Sequence, residues 1–185
     1  MLQGSIRRSR FVTRGTTVVA AELMDLSAVC RSFPELPDPQ ILRDNVLDAI
    51  EDVLRGTTQI VVVEGVEGIG KTTLLAQFVQ RQPRRAFSVF IRPTSRWAYD
   101  PAILRFDLCN QLEWVLHGRE LDSTQEADDS FLRSSWLELQ RRARREVYFF
   151  LVDGLTDIPP EDRQLRGQIL DMLPIGLPRF RFLTT

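Results

Sequence analysis

The chain has 185 residues, 43% of them hydrophobic and 26% charged, which is typical of one globular domain with a hydrophobic core. Its formal net charge of −1 excludes a general electrostatic attraction to nucleic acid or to an anionic membrane. The isolated cysteines Cys30 and Cys109 and the single histidine, His117, argue against a disulfide framework and against a His/Cys metal cluster. We therefore expect a cytoplasmic protein.

Residues 1–40 are predicted to form an N-terminal extension. They begin with several arginines and continue into a mildly apolar stretch that Glu22 and Asp25 interrupt, so the segment is a poor signal peptide. An organelle transit segment is the less favoured alternative, because the start is basic and poor in acidic residues. No run of about 18 apolar residues occurs, and we expect no membrane span.

From residue 42 onward, hydrophobic periodicity predicts alternating helices and strands. The predicted elements are a helix over 42–54, a strand over 59–64, a helix over 71–82, a strand over 86–91, helices over 100–116 and 128–145, a strand over 147–152, a helix over 160–173 and a strand over 180–184. The β-branched run in the first strand is of the kind that is covered on both faces. Strands alternating with helices indicate an α/β fold, a three-layer α/β/α arrangement around a parallel sheet, for residues 41–185.

A glycine-rich loop follows the first strand of this pattern. Residues 65–72 read GVEGIGKT, which satisfies the phosphate-loop motif GxxxxGK[ST] between a strand and a helix. Backbone N–H groups of such a loop point at phosphate oxygens, and the helix N-terminus attracts the same anion. The predicted nucleotide-binding residues are Gly65, Val66, Glu67, Gly68, Ile69, Gly70, Lys71, Thr72 and Thr73.

Individual side chains of the loop have distinct predicted roles. Lys71 is the only lysine among 24 lysines and arginines, and we predict that it reaches the β- and γ-phosphates of ATP, or the β-phosphate of ADP. The hydroxyl of Thr72 is a predicted Mg²⁺ ligand, and Thr73 is predicted to contact the α-phosphate. The sole lysine supports this interpretation, because arginine serves everywhere else in the chain.

Three polar residues near strand ends complete the predicted site. Asp153 directly follows the apolar run YFFLV and is predicted to hold the magnesium shell with Thr72, because ligands gather at the carboxyl ends of parallel strands. Asp157 is a candidate general base for an attacking water, or else a residue that begins a helix. Thr184 closes the last strand, either as a sensor of the γ-phosphate or simply as a strand end. The predicted catalytic residues are Lys71, Asp153, Asp157 and Thr184.

Together, GVEGIGKTTLL, FLVDGLTDIP and RFLTT resemble the signal-transduction ATPases of the STAND class, the NACHT and NB-ARC relatives among the AAA+-like P-loop proteins. The resemblance covers residues 42–185. It implies an ATP/ADP switch that self-associates through this domain. The family usually carries two adjacent acidic residues after DGL, whereas here Thr156 precedes Asp157, so fast hydrolysis is not expected. The family also has a Gly-Arg-Glu triplet, which precedes its phosphate loop. Here a GRE triplet occurs at residues 118–120, after the second strand, so we interpret the match as coincidence.

The resemblance also implies a fifth strand, which would flank the phosphate-loop strand. The chain ends after the fourth, so we expect a fragment, a truncated reading frame or a domain completed by a partner, with the phosphate-loop strand at an exposed edge.

Two other functions are open. A P-loop kinase would need an arginine lid, for which residues 141–145 are the only candidate, although such a run more often ends a helix in solvent. A scaffold that binds ADP or ATP without hydrolysis is the other.

Overall fold

A computed structural model describes residues 10–13, 16–19, 25–92, 100–122, 127–143 and 146–185. The strands are β1 (Arg10–Thr13), β2 (Thr16–Val19), β3 (Ile60–Val62), β4 (Ala86–Phe90), β5 (Tyr148–Asp153) and β6 (Phe180–Thr184). The α-helices are α1 (Leu26–Val29), α2 (Asp44–Arg55), α3 (Lys71–Arg81), α4 (Pro101–His117), α5 (Asp129–Arg142) and α6 (Arg163–Met172). A 3-10 helix, Leu155–Asp157, follows β5.

Four strands form one parallel sheet in the order β3-β6-β5-β4. In its registers, Phe182 of β6 lies opposite Phe150 on one side and Ile60 on the other. The apolar strand β5 lies inside the sheet and is buried along its whole length. Because all four strands are parallel, their carboxyl ends meet at one edge. The predicted α/β fold with a parallel sheet flanked by helices is confirmed.

The core is divided between the two faces of the sheet. Helices α2 and α3 pack against strand side chains in one cluster, and α1, α4, α5 and α6 do so in the other. In the second cluster, Trp136 makes edge-to-face contacts with Phe87 and Phe180, with ring centroids 5.1 and 5.3 Å apart, and each such pair adds about 1 kcal/mol beyond area burial. None of the helices in the ranges above has the length and apolar character needed to cross a membrane.

The segment that precedes α2 contributes to this core. Leu26 is fully buried, and the carboxylate of Asp25 caps α1 by accepting a hydrogen bond from the backbone N–H of Ser27 at 2.9 Å. Phe33 packs edge-to-face on Phe90 of β4, with ring centroids 5.4 Å apart. Further upstream, β1 and β2 pair as an antiparallel hairpin. The division at residue 40 stays a prediction, but part of the predicted extension packs as core.

Buried polar side chains of α4 hold this segment against β4. Gln111 is fully buried; its Oε1 accepts a hydrogen bond from Ser88 N at 3.0 Å and its Nε2 donates to Ser88 O at 2.9 Å. Asp107 accepts hydrogen bonds from the backbone N–H groups of Arg31 and Ser32 at 2.8 and 3.1 Å. Burial raises the pKa of the Asp107 carboxyl, against the lowering effect of these hydrogen bonds. Gln111 thereby occupies backbone groups of β4 that would otherwise belong to a free sheet edge, and Asp107 holds the preceding segment to α4.

We expect Gln111→Leu to lower the free energy of unfolding by about 2–3 kcal/mol, because the buried N–H of Ser88 would lose its partner and the C=O would keep only a long hydrogen bond of 3.5 Å from Cys30 Sγ. Leucine has a similar volume, so the loss would report the hydrogen bonds rather than a cavity. The exposed Gln164 on α6 provides the control, since Gln164→Leu should change stability by less than about 0.5 kcal/mol. Urea unfolding monitored by tryptophan fluorescence measures both. Equal stability of the two variants would contradict a sealing role for Gln111.

Strand β3 is an outer strand, and its side chains are much less covered than the sequence indicated. Ile60 and Val62 are 59% and 55% exposed, so the interpretation of this run as covered on both faces is wrong. Burial of an apolar strand depends on its position in the sheet, and β3 pairs within the described residues only with β6. The regular strand is also shorter than the predicted 59–64, because the chain turns into the glycine-rich loop after Val63, whose N–H still donates to Thr184 O at 2.7 Å.

Candidate functional site

The glycine-rich loop joins β3 to α3 at the carboxyl edge of the sheet. Gly70 is the N-cap of α3, with a φ of 88° in the left-handed region that favours glycine. The first helical hydrogen bond runs from Leu74 N to Gly70 O at 3.0 Å. The preceding N–H groups at the helix start therefore have no partner in the helical ladder and are directed toward the loop. This is the backbone arrangement that binds phosphate.

Lys71 lies over this loop. Its Nζ donates hydrogen bonds to the backbone oxygens of Gly65 at 2.8 Å and Val66 at 3.3 Å. The ammonium group is thus held inside the curve of the loop, at the helix end where anions are favoured. Lys71 thus lies at the predicted phosphate-binding loop, and its contact with phosphate stays a prediction.

Asp153, the last residue of β5, meets the loop through Thr72. The Thr72 hydroxyl donates a hydrogen bond of 2.6 Å to Asp153 Oδ2, although 81 residues separate the two in sequence. A second hydroxyl, that of Thr185, donates to Asp153 Oδ1 at 2.6 Å. The carboxylate is largely buried, at 8% exposure. The two residues predicted to bind metal therefore lie side by side.

A polar cavity of about 520 Å³ opens over these residues. It is lined by Glu67, Gly68, Gly70, Lys71, Thr72, Asp153, Gly154, Thr156, Asp157 and Thr185. The volume lies within the range of small-molecule sites. Seven of the residues predicted from sequence are among those lining it, so one cavity unites the phosphate loop with the acidic strand end.

The predicted sensor residue Thr184 is not among the residues around this cavity. Its hydroxyl contacts Thr185 O at 3.4 Å, and the residue lines a separate apolar groove of about 180 Å³ together with Leu170 and Phe182. Side chains alternate between the two faces along a strand, so the next residue, Thr185, points into the site instead. The sequence pattern located the strand end correctly, but the threonine that reaches the cavity is Thr185 rather than Thr184.

A tight turn after β5 carries the candidate base. Gly154 has a φ of 78°, and a Cβ there would lie 2.2 Å from the carbonyl oxygen of Ile91. The turn leads into the 3-10 helix, whose Thr156 and Asp157 are exposed at the cavity. From α6, Arg166 donates a hydrogen bond to Ile158 O and thereby fixes the far end of the turn. Asp157 is thus brought to the site.

Arg43 contacts the phosphate loop, which the sequence did not indicate. Its Nη2 donates a hydrogen bond of 2.6 Å to Ile69 O and lies 3.0 Å from the position that a Cβ on Gly70 would occupy. From α3, Gln77 donates to Ile41 O at 3.0 Å, which ties the residues before α2 to the phosphate-loop helix. Arg43 precedes Ile69 by 26 residues and belongs to no motif identified in the sequence, so only the folded chain reveals the contact.

The donor set fits magnesium. Thr72 and Asp153 offer hard oxygen atoms, and Mg²⁺ at phosphate sites takes one or two carboxylates, with water and phosphate completing its shell. Over the ranges that the structure describes, no group of three or more His, Cys, Asp or Glu could hold a metal ion without such a ligand. A metal at Asp153 would therefore share its shell with a bound phosphate.

Comparison with known proteins agrees with the geometry. A family model described as AAA ATPase domain matches residues 40–182, which include the phosphate loop and Asp153. No curated protein matches the chain.

Proposed function

Because the chain belongs to the AAA ATPase domain family, we propose that it binds ATP and ADP with Mg²⁺ in the cavity between the phosphate loop and Asp153. The observation that carries this proposal is the hydrogen bond of 2.6 Å between Thr72 and Asp153. Two motifs far apart in sequence meet there, in the place where a P-loop protein needs its metal-binding oxygens.

The roles of the residues follow from their positions. The loop N–H groups and the start of α3 bind the phosphate oxygens, and Lys71 turns its ammonium from the carbonyls of Gly65 and Val66 to the β- and γ-phosphates. Thr72 and Asp153 hold the metal. When bound, Mg²⁺ supplies positive charge that neutralises the phosphate oxygens. Thr73, the third residue of α3, contacts the α-phosphate.

Hydrolysis would depend on Asp157. Its carboxylate is exposed at the cavity and is the candidate that accepts a proton from the attacking water. The neighbouring Thr156 has a hydroxyl, which cannot serve as a base at neutral pH. A single acidic residue in this turn supports slow turnover, in which the bound nucleotide acts as a switch that governs self-association.

The kinase alternative receives no support from the arginines of α5. Arg142 donates hydrogen bonds to Leu116 O and to the carboxylate of Glu138. Both contacts lie near the end of α5, just before β5 begins, whereas the cavity is at the opposite end of that strand. Residues 144 and 145 of the predicted lid lie outside the described residues. We therefore favour the switch over phosphoryl transfer to a small acceptor.

Calorimetric binding of ATP and ADP, with Mg²⁺ or with EDTA, tests the metal site. We expect Mg²⁺ to strengthen binding to the wild-type protein, and Asp153→Asn to remove most of this gain, about tenfold or more, because the amide has no negative charge to hold the metal. Asp171→Asn on the exposed surface of α6 should leave it unchanged. Full magnesium dependence in Asp153→Asn would overturn the metal assignment.

Turnover separates the remaining functions. Slow release of inorganic phosphate from ATP supports the switch. Transfer of phosphate to a small acceptor would contradict it, and nucleotide binding without any turnover in the assembled protein would favour the scaffold.

A further inference from the structure

Both carboxylate oxygens of Asp153 accept a hydrogen bond from a threonine hydroxyl. Thr72 donates to Oδ2 and Thr185 to Oδ1, each at 2.6 Å. We propose that Thr185 is a positioning residue that orients the Asp153 carboxylate for the metal. This inference rests on the proposed function, because it assumes that Mg²⁺ and nucleotide bind at this carboxylate.

The sheet brings Thr185 to this position. In the parallel pair of β5 and β6, Val152 lies opposite Thr184, so the next residues, Asp153 and Thr185, are also neighbours across the pair. Their side chains leave the sheet on the same face. Thr72 reaches the carboxylate from the first turn of α3. Asp153 is therefore held between a helix on one side and the adjacent strand on the other.

This arrangement limits how the carboxylate can turn. An ionised carboxylate has about four lone-pair sites, and the two hydroxyls use one on each oxygen. The plane of the group is then fixed, while one site on each oxygen is free for a metal ion or for a water molecule in its shell. Partners that orient a metal-binding group commonly change metal affinity when removed, by about 10-fold or more.

Thr185 also lines the cavity, so a direct contact with the terminal phosphate of ATP is the competing role. The two roles differ in what they depend on. A residue that orients Asp153 affects metal binding with either nucleotide, and does not affect nucleotide binding without metal. A residue that contacts the γ-phosphate affects ATP and leaves ADP unchanged.

The variants Thr185→Val and Thr185→Ser separate the hydroxyl from the shape of the side chain. Valine keeps the branched shape and lacks the donor, whereas serine keeps the donor. Thr184→Val is the matched control, because Thr184 lies on the same strand but lines the separate apolar groove. Mn²⁺ binding to the full chain with ADP or ATP, followed by electron paramagnetic resonance, gives metal affinity, and calorimetry in EDTA gives ADP affinity without metal.

We expect Thr185→Val to weaken Mn²⁺ binding about 10-fold with both nucleotides, with unchanged ADP affinity in EDTA. Thr185→Ser and Thr184→Val should resemble the wild type. Unchanged metal affinity in Thr185→Val, a loss confined to ATP, or an equal loss in Thr184→Val would each overturn the positioning role. Failure of the wild-type protein to bind metal with nucleotide would instead reject the proposed function, and this inference with it.

Discussion

Lys71→Ala is expected to weaken ATP binding about 100-fold or more, because removal of the ammonium group leaves the phosphate oxygens without their positively charged partner. The free energy of unfolding should change by less than about 0.5 kcal/mol, since the Lys71 hydrogen bonds to Gly65 O and Val66 O lie at the surface of the loop. Calorimetric titration with ATP and urea unfolding of the same preparation measure the two quantities.

Two further variants make this result specific. Arg84→Ala removes a positive charge from an exposed position outside the cavity, and should leave ATP affinity unchanged. Lys71→Arg keeps the charge but replaces a compact ammonium with a planar guanidinium that fits the loop poorly, so it should also lose affinity. ATP affinity that is unchanged in Lys71→Ala would refute the assignment of the phosphate loop.

The second large effect concerns stability rather than binding. We expect Gly154→Ala to lower the free energy of unfolding by about 4 kcal/mol, through a left-handed backbone and a steric clash. The added Cβ would lie 2.2 Å from Ile91 O and 3.1 Å from Ile91 C, both of them backbone atoms that cannot easily move. Ile91 N also donates a hydrogen bond to Asp153 O at 2.9 Å, so any relief of the clash would disturb the end of β5 that carries Asp153.

Gly176 provides a matched control for Gly154. Its φ of 86° is also left-handed, but a Cβ there would meet nothing within 4 Å. Gly176→Ala should therefore lower the free energy of unfolding only by the cost of a left-handed backbone at alanine, about 1–2 kcal/mol. Chemical denaturation of both variants measures the difference, which isolates the clash. Similar losses in the two variants would mean that the turn at Gly154 can relax.

The sequence predicted those parts of the protein that local patterns determine. The loop over 65–72 and Asp153 follow from a motif and from the end of an apolar strand, and the four strands of the sheet lie within a few residues of their predicted ranges. Thr185 shows the limit of such patterns. Successive side chains of a strand point to opposite faces of the sheet. An error of one residue in locating a strand end therefore assigns a hydroxyl to the wrong face.

Contacts between distant segments were not predictable in this way. Arg43 reaches the phosphate loop, and Leu26 reaches the core, only because the chain folds back on itself. The exposure of Ile60 depends on the order of strands in the sheet, which the sequence of β3 alone does not determine. In the sequence, Gln111 is an ordinary polar residue of a predicted helix. The reason for its burial is visible only in the fold, where its side chain bonds the backbone of Ser88.

The solitary lysine of the phosphate loop has a chemical consequence for the whole chain. Acylating reagents and lysine acetylation act on side-chain amines, and here Lys71 is the only such target in 185 residues. Acetylation would remove the positive charge and a hydrogen-bond donor at the position assigned to the phosphates. Every lysine modification of this chain therefore falls on the proposed nucleotide site, and a nucleotide bound there would protect the chain from all of them.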